Sequence, residues 1–358
     1  MKRKVFSRLR PGGPGGPISV LRTYSSLAEQ LHQTVTSRRL PLVFDYLHTQ
    51  PSYLLDQTIN NLFKISPSVS DNAASLPSIT ARPRMPEGHH IIYFPPQVPL
   101  SELLPDGTDT LHYPGEPFTR RLWAGGSVDF LTGAPVLDGS RAVCIETNRD
   151  VTLKGKGEEE KVVVRIERRI GRVSDGEGIE DVRARMMEED EERPGDCSII
   201  ENRHLIFMRG KSEEQLKFDQ QNFGLNQRIL KPPQAPEFRH RIKPNEALLF
   251  RFSALTFNAH SIHLDKTYTR SVEGYRNLLV HGPLTLVLML TAIRTQLVGC
   301  GRIISQIDYR NISPLYVGEE LTVCGKRKPG RDDGTWEVWI EDREGSLAVR
   351  GTVRTRGL

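Results

Sequence analysis

The pattern of apolar and polar positions is most regular in the last third of the chain. Over "HGPLTLVLMLTAIRTQLVGCG" the apolar residues from Leu284 to Val298 lie almost all round a helical wheel, so the spacing predicts a buried helix rather than a half-exposed one. Pro283 suits its first turn, where a missing N–H costs nothing, and Gly299 or Gly301 supplies its stop. Four alternating segments follow, "GRIISQIDYR", "EELTVCGKRK", "TWEVWIEDRE" and "SLAVRGTVRT", separated by the turn signals "NISPLYVG", "PGRDDG" and "EG". A buried helix followed by an antiparallel meander predicts a sheet wrapped round a central helix.

The strand pattern occurs earlier as well, in "SVDFL", "RAVCIETNRDVTL", "KVVVRIERRI" and "NRHLIFMRG". Ser26 to Phe63 reads as a helical entry. The Ser- and Pro-rich stretches "SPSVSDNAASLPSITARPRMPEGHH" and "IIYFPPQVPLSELLPDGTD" read as loops. "SDGEGIEDVRARMMEEDEERPGD" has too few large apolar residues for its charge, so residues 171–196 read as a solvated insertion, a loop or an exposed helix. "KPPQAPEFRHRIKP", Lys231 to Pro244, reads as a linker. The expected organisation is an N-terminal unit over 25–230, a linker over 231–244 and a C-terminal unit over 245–358. The fold class is α+β, a hot-dog architecture.

Composition narrows the function classes. A chain of 358 residues predicts roughly two domains at about 150 residues each. With 37% hydrophobic and 26% charged residues it has enough apolar material for ordinary cores. The run Leu284 to Ile293 is broken by Thr285 and Thr291 and followed by Arg294, too short to span a bilayer. Of the net charge of +5, much sits in the first ten residues, and no aromatic–basic motif follows to indicate nucleic acid. That leader, "MKRKVFSRLRPGGPGGPISVLRTYSS", carries Lys2, Arg3, Lys4, Arg8, Arg10 and Arg22 and no acid until Glu29. Lacking an uninterrupted apolar core, it reads as a mitochondrial transit peptide over 1–24, cut after Tyr24, with the matrix as destination. Cys144, Cys197, Cys300 and Cys324 form no CxxC pair and read as reduced thiols. No Gly-rich phosphate loop follows a strand, and no cofactor is implied.

The candidate chemistry lies in "ALTFNAHSIHLD", Ala254 to Asp265, where an asparagine and two histidines stand among apolar runs. "FRFSALTFNAHSIHLD" followed by "EGYRNLLVHGPL" resembles the active-site region of hot-dog hydratases of the MaoC type. The nearest likeness is to their mitochondrial 3-hydroxyacyl-thioester dehydratase subgroup. "RRLWAGGSVDF" resembles the phrase that this subgroup carries in a first, degenerate repeat, so the likeness runs from about Thr119 to the end. It implies a double hot-dog enzyme, each repeat a sheet round a central helix. The implied reaction interconverts (3R)-hydroxyacyl and trans-2-enoyl thioesters in type II fatty acid synthesis.

The relatives place an Asp and a His five positions apart, then a glycine at a helix N-terminus. Here the His position is His263, the glycine is Gly282, and the Asp position holds Asn258. An amide neither takes nor gives a proton at neutral pH. The resemblance therefore implies that His263 moves the protons as both base and acid. Asn258 is expected to orient the hydroxyl or water by donating and accepting hydrogen bonds; on its own it would read as a capping amide. Gly282, at the start of the buried helix, is the expected oxyanion donor. His260 and His281 are expected to position substrate. The H-x-x-H pair of His260 and His263 would share a helix face and begin a metal site, but only His281 offers a third ligand, at no recognised spacing, and no metal is expected. Asp265 reads equally as an orienting partner of His263 or as a cap. Trp123 and Gly125, with Gly126, are expected to shape an acyl tunnel or the repeat interface. The implied partners are acyl carrier protein, whose acidic surface a basic protein attracts, or CoA thioesters. Arg270, Arg276, Arg302 and Arg310 are either contacts for the carrier or solvated surface. Two repeats in one chain would complete a pseudo-dimer, so a monomer or a homodimer is expected. The alternatives are a hydratase of short branched or dicarboxylic CoA esters and a non-catalytic acyl-thioester-binding protein.

Overall fold

The computed structural model describes residues 18–63, 82–131, 135–188, 195–223, 229–328, 330 and 334–358, with side chains from residue 26 onward. Residues 1–17 of the basic leader lie outside the described residues, and 18–24 contribute only backbone to the start of helix α1 (Ile18–Thr36). Ten strands form a single antiparallel sheet: β1 (Val43–Tyr46), β2 (Arg120–Phe130), β3 (Arg141–Lys154), β4 (Lys161–Arg172), β5 (Ile199–Met208), β6 (Phe238–Ile242), β7 (Arg302–Asn311), β8 (Leu321–Arg327), β9 (Thr335–Glu341) and β10 (Leu347–Gly357). Their order is β1-β3-β4-β5-β2-β7-β10-β9-β8-β6. Followed inward from one edge it is β1-β3-β4-β5-β2, and from the other β6-β8-β9-β10-β7. The two halves are one five-strand topology repeated, joined where β2 pairs with β7.

Helix α7 (Gly282–Leu297) fills the C-terminal repeat as the sequence predicts, with every residue from Leu284 to Ile293 buried. Each large apolar side chain so placed contributes roughly 1.5–3 kcal/mol relative to exposure. Leu297 is the last helical residue, and Gly299 and Gly301 follow at φ 75° and 61°, a left-handed backbone that ends the helix. In the N-terminal repeat, the described residues between β1 and β2 supply helix α2 (Thr49–Phe63) and a Pro-rich stretch with 3₁₀ turns at His89–Ile92 and Leu100–Glu102. Leu55, Ile59 and Phe63 of α2 join the same core as α7, together with Ile91, Tyr93 and Phe94.

Three segments depart from the sequence reading. β2 begins at Arg120, well ahead of "SVDFL", because a glycine pair interrupts its alternation. A β-bulge lies between Trp123 and Gly125 on the β5 side. A Cβ on Gly125 would sit 2.3 Å from the Tyr309 carbonyl of β7, and one on Gly126 1.8 Å from the Asn202 carbonyl of β5. Only glycine lets the three strands close at the seam. The stretch read as a linker carries β6, paired with β8. It alternates arginine with Phe238, His240 and Ile242, and only Ile242 is buried, so this edge strand has the charge and exposure of a connector. The acidic insertion carries α3 (Ile179–Met187), whose Val182 and Met186 are buried against Val143, Ile145 and Cys197. The i, i+4 pair anchors the described part of the segment, in which Arg185 pairs with Glu177 and Asp196.

The inner face of the N-terminal sheet carries a row of charges. On β4 the residues facing inward are Val162, Val164, Ile166, Arg168 and Ile170, all 1% exposed or less. Arg168 pairs in register with Glu146 on β3 and Glu201 on β5. Its Nε lies 2.6 Å from Glu146 Oε1, its Nη1 donates to Glu201 Oε2 at 3.1 Å, and its Nη2 donates to the Phe94 carbonyl at 2.9 Å. The ion network thereby fastens the Pro-rich stretch to the sheet. Among the described residues no helix is long and apolar enough to cross a membrane.

Candidate active site

A cavity of about 600 Å³ opens between the repeats. One wall comes from the end of α5 (Glu246–Thr256), the turn after it and the start of α7; the other from Arg121 to Ala124, Ile166, Arg168 and Leu205 of the N-terminal sheet, with Ile91 and Phe94 to Pro96 alongside. Three of the residues singled out from the sequence as catalytic, Asn258, His263 and Gly282, line it, and so do His260 and Trp123.

Local sequence explains how they arrive there. Helix α5 is capped at its start by Asn245, whose Oδ1 accepts Leu248 N–H at 2.8 Å. It ends in a Schellman-type turn: Asn258 N–H donates to the Ser253 carbonyl at 2.9 Å and Phe257 N–H to the Ala254 carbonyl at 3.3 Å. The left-handed position is held by Phe257, at φ 51°, rather than by glycine. The chain then reverses through a short 3₁₀ turn, Ser261–His263, and Asp265 caps helix α6 (Lys266–Ser271) by accepting Tyr268 N–H at 2.9 Å. Asp265 is therefore a cap. His260 and His263 do not share a helix face; their rings meet edge-on with centroids 5.5 Å apart. Among the described residues no group of three or more His, Cys, Asp or Glu is arranged to hold a metal ion.

His263 is held by the backbone. Its Nδ1 lies 2.8 Å from the Leu279 carbonyl, an acceptor only, so Nδ1 carries the proton and Nε2 is bare. Burial, only partly opposed by that hydrogen bond, pushes its pKa down to about 4, so the ring is neutral at neutral pH. His281 stacks on it with centroids 3.7 Å apart and an angle of 22° between rings. His281 is fully buried, with Nε2 2.8 Å from Ser253 Oγ on α5, and burial together with the two neighbouring histidines lowers its pKa well below the usual imidazole range. His281 supports the His263 ring and is not among the cavity-lining residues.

Gly282 is the first residue of α7 and His281 its N-cap. The first-turn N–H groups have no intrahelical acceptor, and no acidic residue occupies that turn to neutralise the helix dipole. The helix therefore presents an anion-binding end to the cavity. A Cβ on Gly282 would lie 2.7 Å from Trp123 Cβ and 2.8 Å from Asn311 Nδ2, so glycine is required by packing as well. Asn258 has less freedom than its sequence context implies. Its Oδ1 accepts His260 N–H at 3.0 Å, which fixes the orientation of the amide and leaves its NH₂ and one oxygen lone pair to meet a ligand.

Trp123 is positioned from three sides: its Nε1 donates to Tyr309 Oη at 2.7 Å, its carbonyl accepts Asn311 Nδ2–H at 3.0 Å, and the Arg203 guanidinium lies 4.8 Å above its ring. Gly125 lies at the strand seam rather than on the cavity wall. Arg276 forms a two-point ion pair with Glu319 at 2.8 and 2.6 Å, and Arg302 bonds Thr355, so both are tied into the fold. Sequence reasoning missed Ser253, the Leu279 carbonyl, Asp106 and the charged wall of Arg121, Glu146, Arg168 and Arg203. Arg168 was open to discovery as the one charge on the inward face of "VVVRIERRI"; the others depend on long-range contacts.

Comparison with known proteins agrees with this architecture. The family model for hydroxyacyl-thioester dehydratase type 2 matches residues 88–317. The mitochondrial hydroxyacyl-thioester dehydratase type 2 of Schizosaccharomyces pombe is 26% identical over 75% of this chain and 86% of its own length. The mesaconyl-C(4)-CoA hydratase of Chloroflexus aurantiacus is 35% identical over a shorter region, 35% of this chain and 42% of that protein. In structure, the MaoC-like dehydratase of Phytophthora capsici superposes over 91% of this chain and 99% of its own with a TM-score of 0.56 at 14% identity, which supports the double hot-dog fold. The chain belongs to the hydroxyacyl-thioester dehydratase type 2 family of hydro-lyases and has the double hot-dog fold.

Proposed function

We propose that the protein dehydrates (3R)-3-hydroxyacyl thioesters to trans-2-enoyl thioesters, with His263 moving the protons. The observation that carries this reading is the His263 ring, fixed by the Leu279 carbonyl with Nε2 bare and lining the same cavity as the N-terminus of α7. Nε2 takes the proton from C2 as the C3–O bond breaks, and then gives it to the departing hydroxide, which leaves as water. Charge growing on the thioester oxygen is met by the first-turn N–H groups of α7, Gly282 among them. The Asn258 NH₂ donates to the hydroxyl oxygen. The acyl chain extends past Trp123 towards Leu122, Leu205 and Ile166, while Phe250, Phe257 and Leu264, exposed and lining the cavity, meet the pantetheine arm at its mouth.

The basic leader over 1–24, and the mitochondrial relative in S. pombe, support action in mitochondrial type II fatty acid synthesis, with acyl carrier protein as the carrier. Because β2 and β7 join two repeats in one chain, one chain carries the whole cavity, as monomer or homodimer. The charged wall of Arg121, Glu146, Arg168 and Arg203 favours a second substrate class, a short dicarboxylic CoA ester. The test incubates the full chain with trans-2-enoyl groups of short, medium and long chains and with a dicarboxylic enoyl-CoA, on CoA and on carrier protein. Loss of the enoyl absorbance with a 3R product supports the reading, and the preferred thioester decides between the classes. A chain inert towards all of them would refute it.

A further inference from the structure

His260 lines the cavity beside Asn258, and its ring can supply an acceptor for the substrate hydroxyl. The Asn258 oxygen already accepts His260 N–H at 3.0 Å, so part of its accepting capacity is spent on the backbone while its NH₂ is a donor. The loop 104–108, from the other repeat, is built against the same place. Ser261 N–H donates to the Asp106 carbonyl at 2.8 Å, and Gly107, at φ 82°, approaches so closely that a Cβ would lie 2.2 Å from the Ala259 carbonyl. Asp106 Oδ1 accepts Thr108 N–H at 2.9 Å and Thr108 Oγ1–H at 2.6 Å. Its other oxygen, Oδ2, is buried with no hydrogen bond in place and lies 3.4 Å from His260 Nε2, which is also buried and unbonded. Both side chains are 6% exposed.

We propose that Asp106 is a positioning residue: it holds His260 as the Nε2–H tautomer, so that the bare Nδ1 accepts the hydrogen bond of the substrate's 3-hydroxyl, or of the attacking water in the reverse direction. This rests on the dehydratase reading of the cavity. A neutral imidazole has one donor and one acceptor nitrogen, and a carboxylate can only accept, so the nitrogen that faces Asp106 is the donor. Burial, with His263 and Arg121 adding to it, keeps His260 neutral. The hydroxyl is then gripped at both ends, its oxygen by the Asn258 NH₂ and its hydrogen by His260, while His263 does the transfer. The acceptor comes from a couple assembled across the two repeats.

The test uses full-length protein labelled with ¹⁵N-histidine, with His260 assigned by comparison with His260→Gln. Asp106→Asn keeps an oxygen for Thr108 and removes the carboxylate. The expected result is a protonated Nε2 and bare Nδ1 in the wild type, and loss of that preference in Asp106→Asn. The variant's kcat falls at least about tenfold, short of the roughly 10²–10⁴-fold that a proton-transferring group itself contributes, with KM nearly unchanged and an unaltered melting temperature. A protonated Nδ1 in the wild type, or wild-type kcat in Asp106→Asn, would overturn the proposal. If the wild type hydrates no enoyl thioester at all, the hydroxyl-accepting role falls with the dehydratase reading, and the NMR data still decide whether Asp106 sets the tautomer.

Discussion

Replacing Arg168 by methionine removes the centre of the charged row on the N-terminal sheet. Arg168 is 1% exposed, and its guanidinium touches Glu146, Glu201 and the Phe94 carbonyl. Breaking a buried pair by removing one partner costs about 3–5 kcal/mol, because the other charge stays buried. Glu201 keeps Arg203, whose Nε lies 2.9 Å from Oε1, so the larger part of the cost falls on Glu146, left with His112 Nε2 at 3.3 Å. Against a total stability of roughly 5–15 kcal/mol this is a large fraction. The pH dependence gives a second handle. In the wild type, burial works to raise both carboxyls, but Arg168 and then His112 hold Glu146 well below its ordinary 4.5, and Arg203, His90 and Arg168 hold Glu201 at about 2. Depressed carboxylates contribute stability above the unfolded value of about 4.5 and lose it as pH falls through the folded values. In Arg168→Met the burial of Glu146 is opposed only by His112 and Arg203, its pKa rises, and the penalty is relieved by protonation. Urea unfolding of both proteins should therefore show a gap of about 3–5 kcal/mol near neutral pH that narrows towards pH 4.5. Arg168→Met combined with Glu146→Leu should recover part of the loss. A gap below about 1 kcal/mol, or one that does not change with pH, would refute the argument.

Three further outcomes follow from the site. Because the base must be neutral and its pKa is lowered to about 4, kcat/KM should stay flat from neutral pH down to about 5 and fall only below that; an acid limb at the ordinary imidazole value near 6.5 would contradict the burial of His263. Gly282→Ala must push Trp123 and Asn311 aside, so thermal melting should show a loss of about 1–3 kcal/mol and turnover should drop with it. Phe257→Gly relieves a left-handed backbone at φ 51° while removing a side chain that is 68% exposed, and unfolding should show a gain of about 1 kcal/mol.

The C-terminal repeat was legible because its cues are local. An all-round apolar run gave α7, and alternation gave β7 to β10. The N-terminal repeat was harder where local cues conflict with tertiary need. Gly125 and Gly126 break the alternation of β2 for the sake of a three-strand seam, and β6 is an edge strand with a connector's composition. Val182 and Met186 are too few to announce that an acidic segment is anchored. Within the site, residue types and spacing led to Asn258, His263 and Gly282. They did not show that the Asn258 oxygen is already held, that a backbone carbonyl rather than Asp265 orients His263, or that Asp106 approaches from the other repeat. The first is a turn contact between residues two apart, which residue type alone does not announce, and the other two span many residues, which periodicity cannot carry.

The central claim is that His263 alone carries the proton between C2 and the C3 oxygen on one face of the substrate. It is tested most directly by hydrating a trans-2-enoyl thioester in D₂O with the full-length wild type and His263→Ala, and determining the configuration at C2 and C3. The account predicts a 3R alcohol with deuterium added at C2 from the same face as the hydroxyl, and a folded, inert variant. A 3S alcohol, addition from opposite faces, or an active His263→Ala would contradict it.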